Sequence, residues 1–186
     1  MLTFEKVQVF VFETKDPFIT SEMGGTSGFC TNKNCIIVLI NVDTFTKGGL
    51  QNTITHELAH AINPVYDMEN MSVGQGIVFE GLAENFRESM VDHMKSRLVS
   101  NVNEFEIEEM FNKIRPILLS KKLSDYHEVF FGTGKLPRWA GYSVGYYLVR
   151  RIIKDYKKID WNLLLMQNPD IILNEILDFS SRRETK

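Results

Sequence analysis

One run of residues, Thr55-His56-Glu57-Leu58-Ala59-His60, constrains this chain more than any other. Two histidines spaced as H-E-x-x-H act together only if the backbone between them is helical. A helix turns about 100° per residue, so four residues complete about 400° and bring His56 and His60 onto one face, with Glu57 about 100° round. Two imidazoles one turn apart can hold a single metal ion, with the carboxylate beside the ion rather than on it. Ile54, Leu58, Ala61 and Ile62 recur at i, i+4, i+7 and i+8, an apolar stripe on the side away from the histidines. The pattern predicts a helix over about 50–62 with one face on the core and the other on a cleft. Lys47-Gly48-Gly49 breaks the chain before it, and Asn63-Pro64 ends it. Taken alone, the same five residues also suit a pair of surface histidines on an ordinary amphipathic helix, so the rest of the chain has to decide.

Around that helix the patterning changes from period 2 to period 3.6. Residues 4–14 place Val7, Val9 and Val11 on one side and Phe10 and Phe12 on the other, as in a strand. Gly24, Gly25 and Gly28 suit turns or close approach of another backbone, and Asn32-Lys33-Asn34 suits a hairpin tip. The unbroken apolar run from Cys35 to Val42 predicts a strand covered on both faces. A small mixed sheet of about three to four strands is expected within residues 4–42. From Ile77 to about Lys95 the helical stripe is Phe79, Leu82, Ala83, Phe86, Met90 and Met94. Ile107, Met110, Phe111, Ile114 and Leu118 mark a second helix, with Pro116 at a kink or an end. Residues 120–136 carry no clear period. Residues 138–156 are apolar over most of a helical circumference, with Gly141 and Gly145 placed where another element can approach. A short helix from about Pro169 to Leu177 and a loose tail over 181–186 complete the chain. The fold class expected is α+β. A sheet lobe over about 1–63 and a helical lobe over about 64–180 make one domain, 1–186, with the cleft between them.

With 186 residues, a chain buries about 70% of its unfolded surface and needs no staple to fold. Cys30 and Cys35 are too few and too close for a disulfide framework and are expected to be free thiols. A net charge of −3 leaves no basic footprint for nucleic acid. No apolar stretch approaches the roughly 18 residues that cross a bilayer, and no leader pattern follows Met1. Neither nucleic acid nor membrane is expected as a partner, and a cytoplasmic location is the default.

A catalytic zinc ion takes three protein ligands and keeps its fourth position for water, so His56 and His60 need a third partner on another element. Glu80 suits that role. It opens Glu80-Gly81-Leu82-Ala83-Glu84, lies among apolar residues where an unpaired carboxylate is costly, and follows His60 at a distance that allows a loop and a returning helix. Glu84, one turn further on, is too far to bind the same ion easily but suits a hydrogen bond to the outer nitrogen of a ligand histidine. His93 and His127 have no ligand-like neighbours and are expected to be structural or exposed.

His56-Glu57-Leu58-Ala59-His60 followed by Glu80-Gly81-Leu82-Ala83-Glu84 resembles the gluzincin metallopeptidases. Together with Gly24 to Gly28 and the late Trp139-Ala140-Gly141-Tyr142-Ser143-Val144-Gly145-Tyr146, the chain is similar, over roughly residues 5–155, to a family of predicted zinc-dependent proteases of unknown function. The resemblance implies a zincin-like fold and one Zn2+ per chain held by His56, His60 and Glu80, with Glu57 as the base. It also implies an oxyanion donor on a later segment, for which Tyr142 is the first choice and Tyr146 the alternative. A peptide or protein substrate is implied, and by analogy it lies along a sheet edge at Gly25, Thr26, Ser27, Gly28 and Phe29. The chain is shorter than the larger gluzincins and leaves little room for a second substrate-gripping domain. A contrasting reading is a noncatalytic zinc-stabilised binding domain. Glu57 distinguishes the two, because a structural site needs no base beside an open position.

Overall fold

The computed structural model describes residues 6–91, 96–99 and 102–184. Its N-terminal part is a three-stranded mixed sheet, β1 (Gln8–Glu13), β2 (Thr26–Asn32) and β3 (Cys35–Ile40), in the order β1-β3-β2. β1 runs parallel to β3 and β2 antiparallel, and the short helix α1 (Pro17–Ser21) lies in the crossover between β1 and β2. The expected hairpin tip closes with Asn34 at φ 66°, a left-handed conformation that asparagine tolerates. The Asn34 N–H donates to the Ala61 carbonyl at 2.9 Å, which ties the hairpin to the end of α2 (Lys47–Ala61). The expected α+β class stands: a small sheet followed by a mainly helical part.

β3 is covered on one face, not two, and β1 on neither. Cys30, Ile36 and Val38 pack with Ala61 and Phe79 on the inner side. Ile37 and Leu39 on the outer side are only half-buried, and Val9, Phe10, Val11 and Phe12 of β1 are 41% to 52% exposed. An apolar run looks the same in a strand covered on both faces and in one backed by a single helix layer, which is why the expectation for Cys35 to Val42 fails.

Several helix limits also differ, each because a cap or a turn overrides propensity. α2 includes Lys47, Gly48 and Gly49 as its first turn, because the Thr46 side chain caps it by accepting from the Gly49 N–H at 3.0 Å. α3 (Val73–Met90) starts before Ile77 at a reciprocal capping box: Ser72 accepts from the Gln75 N–H, and Gln75 accepts from the Ser72 N–H. Met90, at the end of that helix, is 57% exposed and lies off the buried stripe, while Met94 and Lys95 fall outside the described residues. α4 (Glu104–Ile114) passes into a 3-10 turn at Arg115–Ile117, where Pro116 ends the α-helical ladder as expected. The stretch without clear period holds α5 (Leu123–Phe131), and α6 (Ala140–Ile153) is the largely buried helix. α7 (Trp161–Leu165) was not foreseen. α8 (Pro169–Glu184) carries its helical backbone through residues 181–184, where a loose tail was expected. Among the described residues no helix is long and apolar enough to cross a membrane.

The crossing of α3 and α6 is the contact that brings the later part of the chain to the HExxH helix. A Cβ on Gly145 would run into the Ile77 carbonyl, and one on Gly81 into the Gly145 carbonyl, so the two backbones touch. Buried Asn85 bridges them, donating to the carbonyls of Gly81 at 2.8 Å and Tyr146 at 2.9 Å. Glu80 therefore sits beside the crossing on α3, and Tyr142 lies one turn before it on α6. Gly145→Ala is expected to lower stability by about 1–3 kcal/mol through overpacking. A fall in the urea midpoint at unchanged slope checks this, and an unchanged midpoint would contradict the close crossing.

Candidate metal centre

α2 supplies His56, Glu57 and His60, and α3 supplies Glu80 and Glu84. The histidine face of α2 is the buried one: His56 is 8% exposed, Glu57 7% and His60 2%, while Ile54 and Leu58 of the supposed core stripe are half-buried. The expected core stripe holds, since Ala61 and Ile62 are buried and Ile54 and Leu58 pack against the cores, and it is the expected open face that is corrected. α2 is covered by the sheet on one side and by α3 on another, so its polar face lies between elements rather than in water.

Three ligand-type atoms converge there. His56 Nε2 is 3.0 Å from Glu80 Oε2, His60 Nε2 is 3.2 Å from His56 Nε2, and His60 Nε2 is 3.6 Å from Glu80 Oε2. Ligands bound at about 2.0–2.2 Å to one tetrahedral ion stand about 3.3–3.6 Å apart, so this triangle matches a zinc donor set to within a few tenths of an ångström. Among the described residues His56, His60 and Glu80 are the group able to hold a metal ion. His56 Nδ1 lies 3.0 Å from Glu84 Oε1; a proton held there would leave Nε2 to take a metal ion in place of a second proton. Glu84 Oε2 accepts from Arg87 Nε at 3.2 Å, and Arg87 Nη1 donates to Asn52 Oδ1 at 2.7 Å, closing a buried chain back onto α2. His60 is held differently. Its Nδ1 is buried without a hydrogen-bond partner, and its ring is stacked on Tyr66, centroids 4.7 Å apart, with Phe79 edge-on at 6.4 Å.

The buried histidines and carboxylates hold one another's charge states. Burial alone would push the His56 imidazolium down, but its hydrogen bonds and the charges of Glu80 and Glu84 outweigh it and hold the pKa well above the usual value. Burial raises Glu80 and is outweighed by His60 and His56, which bring it down to about 2. Burial likewise raises Glu84, and the hydrogen bond and charge of His56 together with Arg87 leave it below the ordinary carboxylate range. Glu80 and Glu84 are thus held ionised against the buried imidazoles, a charge that either a proton on His56 or a cation at the triangle can balance.

Glu57 stands apart from the triangle. Burial raises its pKa, only partly offset by the nearby histidines, and its carboxylate accepts from the Cys30 backbone N–H. β2, an edge of the sheet, runs directly over it: a Cβ on Gly28 would lie 2.6 Å from Thr53 Cγ2 and 2.8 Å from Glu57 Cγ. Gly25, Thr26, Ser27, Gly28 and Phe29 therefore lie at or next to a sheet edge beside Glu57. Half-buried Tyr142 places its ring centroid 6.5 Å from His56, and burial pushes its phenol well above the usual value. Tyr146 instead donates to Glu88 Oε2 at 2.6 Å and lies under Arg150. His127 packs edge-on to Phe131 outside the triangle, His93 falls outside the described residues, and both cysteines are free thiols. Tyr66 and Arg87 were not foreseen. Arg87 had a signal, standing three residues after Glu84 on one helix, whereas Tyr66 follows the helix stop in a polar connection and had none.

The donor set, two imidazoles and a carboxylate with a further carboxylate alongside, is one that could hold a single metal ion. The chain belongs to the family described as predicted Zn-dependent protease (DUF2268), which it matches over residues 2–173. It is 29% identical over 149 residues to the uncharacterized protein YjfC of Bacillus subtilis (strain 168), a match that covers 72% of this chain and 47% of that protein. The chain thus spans about half the length of this relative. No solved structure matches it.

Proposed function

We propose that the protein is a zinc-dependent peptidase of the gluzincin type, with zinc on His56, His60 and Glu80 and with Glu57 as the group that moves protons. The observation that carries this reading is the triangle of His56 Nε2, His60 Nε2 and Glu80 Oε2 with a separate, raised-pKa carboxylate beside it. Bound there, zinc supplies a Lewis acid that lowers the pKa of water to about 7 and polarises a carbonyl oxygen. Glu57 takes a proton from the attacking water and returns it to the leaving amine. The Cys30 N–H steadies its carboxylate, and the absent side chain at Gly28 leaves it room. Glu84 keeps His56 in the tautomer that offers Nε2, and Arg87 keeps Glu84 ionised. The Tyr142 hydroxyl, which burial keeps protonated, donates to the carbonyl oxygen as negative charge builds on it. An extended peptide lies along the β2 edge, its main chain read by the strand.

Hydrolysis of a denatured-protein or peptide library by the zinc-loaded protein tests this. Activity is expected to vanish with a chelator and to return with one equivalent of zinc, and Tyr142→Phe is expected to lower kcat about 10²-fold at unchanged zinc content. Hydrolysis that survives complete chelation would overturn the reading.

A further inference from the structure

Tyr142 is the inner end of a row of aromatic rings leading away from the metal centre. Its centroid is 6.5 Å from His56 and 5.6 Å from Trp139, and Trp139 is 6.2 Å from Phe18 and 6.1 Å from Phe131. The outer rings are open to solvent: Phe18 is 38% exposed and Phe131 42%, with Trp139 half-buried. Three elements contribute them, α1, the end of α5 and the residue before α6, so the grouping is tertiary and does not follow from one helix face. Trp139 packs against neither hydrophobic core. Its backbone sits at φ 67°, in the left-handed region that glycine occupies freely and a bulky residue rarely does. Neither core packing nor backbone geometry accounts for an indole at this position. Its contacts are with the aromatic row itself, whose inner ring lies against His56. Arg138 lies beside the row, its guanidinium 5.8 Å from the rings of both Phe18 and Trp139 and 3.8 Å from Glu22.

We propose that this aromatic row is the subsite that receives a bulky apolar side chain, aromatic or long aliphatic, of the peptide at the metal centre, and that Trp139 is its specificity-determining residue. The proposal rests on the peptidase reading. Its flat ring faces, wet on one side, gain most by covering another apolar side chain.

The test uses zinc-loaded Glu57→Gln protein, which binds without cutting, and fluorescein-labelled peptides that carry Phe or Ala at one position at a time, with Kd read by polarisation. At one position Phe is expected to bind about tenfold or more tighter than Ala. Adding Trp139→Gly, which suits the positive φ, is expected to bring that ratio close to one at equal zinc content, and Phe18→Ala on the exposed helix α1 to lower it partway. A ratio near one at every position in the parent protein, or a full ratio kept in both variants, would overturn the subsite. Wild-type hydrolysis of the same peptides is scored separately. A binding preference without cleavage sinks the peptidase reading and leaves the subsite standing, and cleavage without preference does the reverse.

Discussion

Glu57→Gln is expected to keep one zinc per chain and to lose about 10⁴-fold in peptide hydrolysis. That is the upper end of what a positioned acid–base group contributes, since one carboxylate serves two proton transfers. The substitution is nearly isosteric. Glutamine Oε1 can still accept from the Cys30 N–H, and the side chain keeps the Cγ position that Gly28 accommodates. It adds no buried charge and removes no atom from the triangle of His56, His60 and Glu80, so neither fold nor metal content should move. What it removes is a group able to take up a proton. Metal analysis, thermal denaturation and turnover on one preparation separate these effects. A noncatalytic zinc-stabilised domain makes the opposite forecast, a variant indistinguishable from wild type in every assay. Equal hydrolysis in wild type and variant would take the base role away from Glu57.

The grouping of His56, His60 and Glu80 was more legible in the sequence than the fold around it, and the reason is physical. A bound ion needs donors at fixed spacing on a helix plus one carboxylate in an otherwise apolar stretch, and both conditions leave a mark on local sequence, at His56 to His60 and at Glu80. Glu84 was legible for the same reason, lying one turn from Glu80. Burial of a strand leaves no comparable mark: Cys35 to Val42 reads identically whether one or two layers cover it, and exposed β1 is as apolar as a core strand. Two helix starts were misplaced where a side chain caps them, at Thr46 and Ser72, although Ser72 and Gln75 do carry the capping-box spacing. Tyr66 reaches His60 only through the path of the chain after Pro64, which no periodicity encodes. The choice of Tyr142 over Tyr146 is also tertiary. The two lie one turn apart on α6, and only the structure shows that Glu88 engages the second.

Removing a ligand should be more drastic than removing the base, and the two available substitutions should differ from each other. His56→Ala and Glu80→Ala are each expected to leave less than about a tenth of an equivalent of zinc after gel filtration and no measurable hydrolysis, because two ligands do not complete the donor set. Added zinc should raise the melting temperature of the wild type, by about 2.7 kcal/mol of stabilisation at a hundred times Kd, and leave both variants unmoved. The variants part company in the metal-free state. Glu80→Ala deletes one of the buried carboxylates and leaves His56 paired with Glu84. His56→Ala deletes the cation-forming group between Glu80 and Glu84, so that Glu80 keeps His60, and Glu84 keeps Arg87 and Ser96. Breaking a buried pair by removing one partner costs about 3–5 kcal/mol, since the other charge stays buried, so His56→Ala should be the less stable of the two. Stoichiometric zinc in either variant would dissolve the assigned donor set. A Glu80→Ala protein less stable than His56→Ala would show that the carboxylate stabilises the fold by some contact other than its charge pairing with the imidazoles.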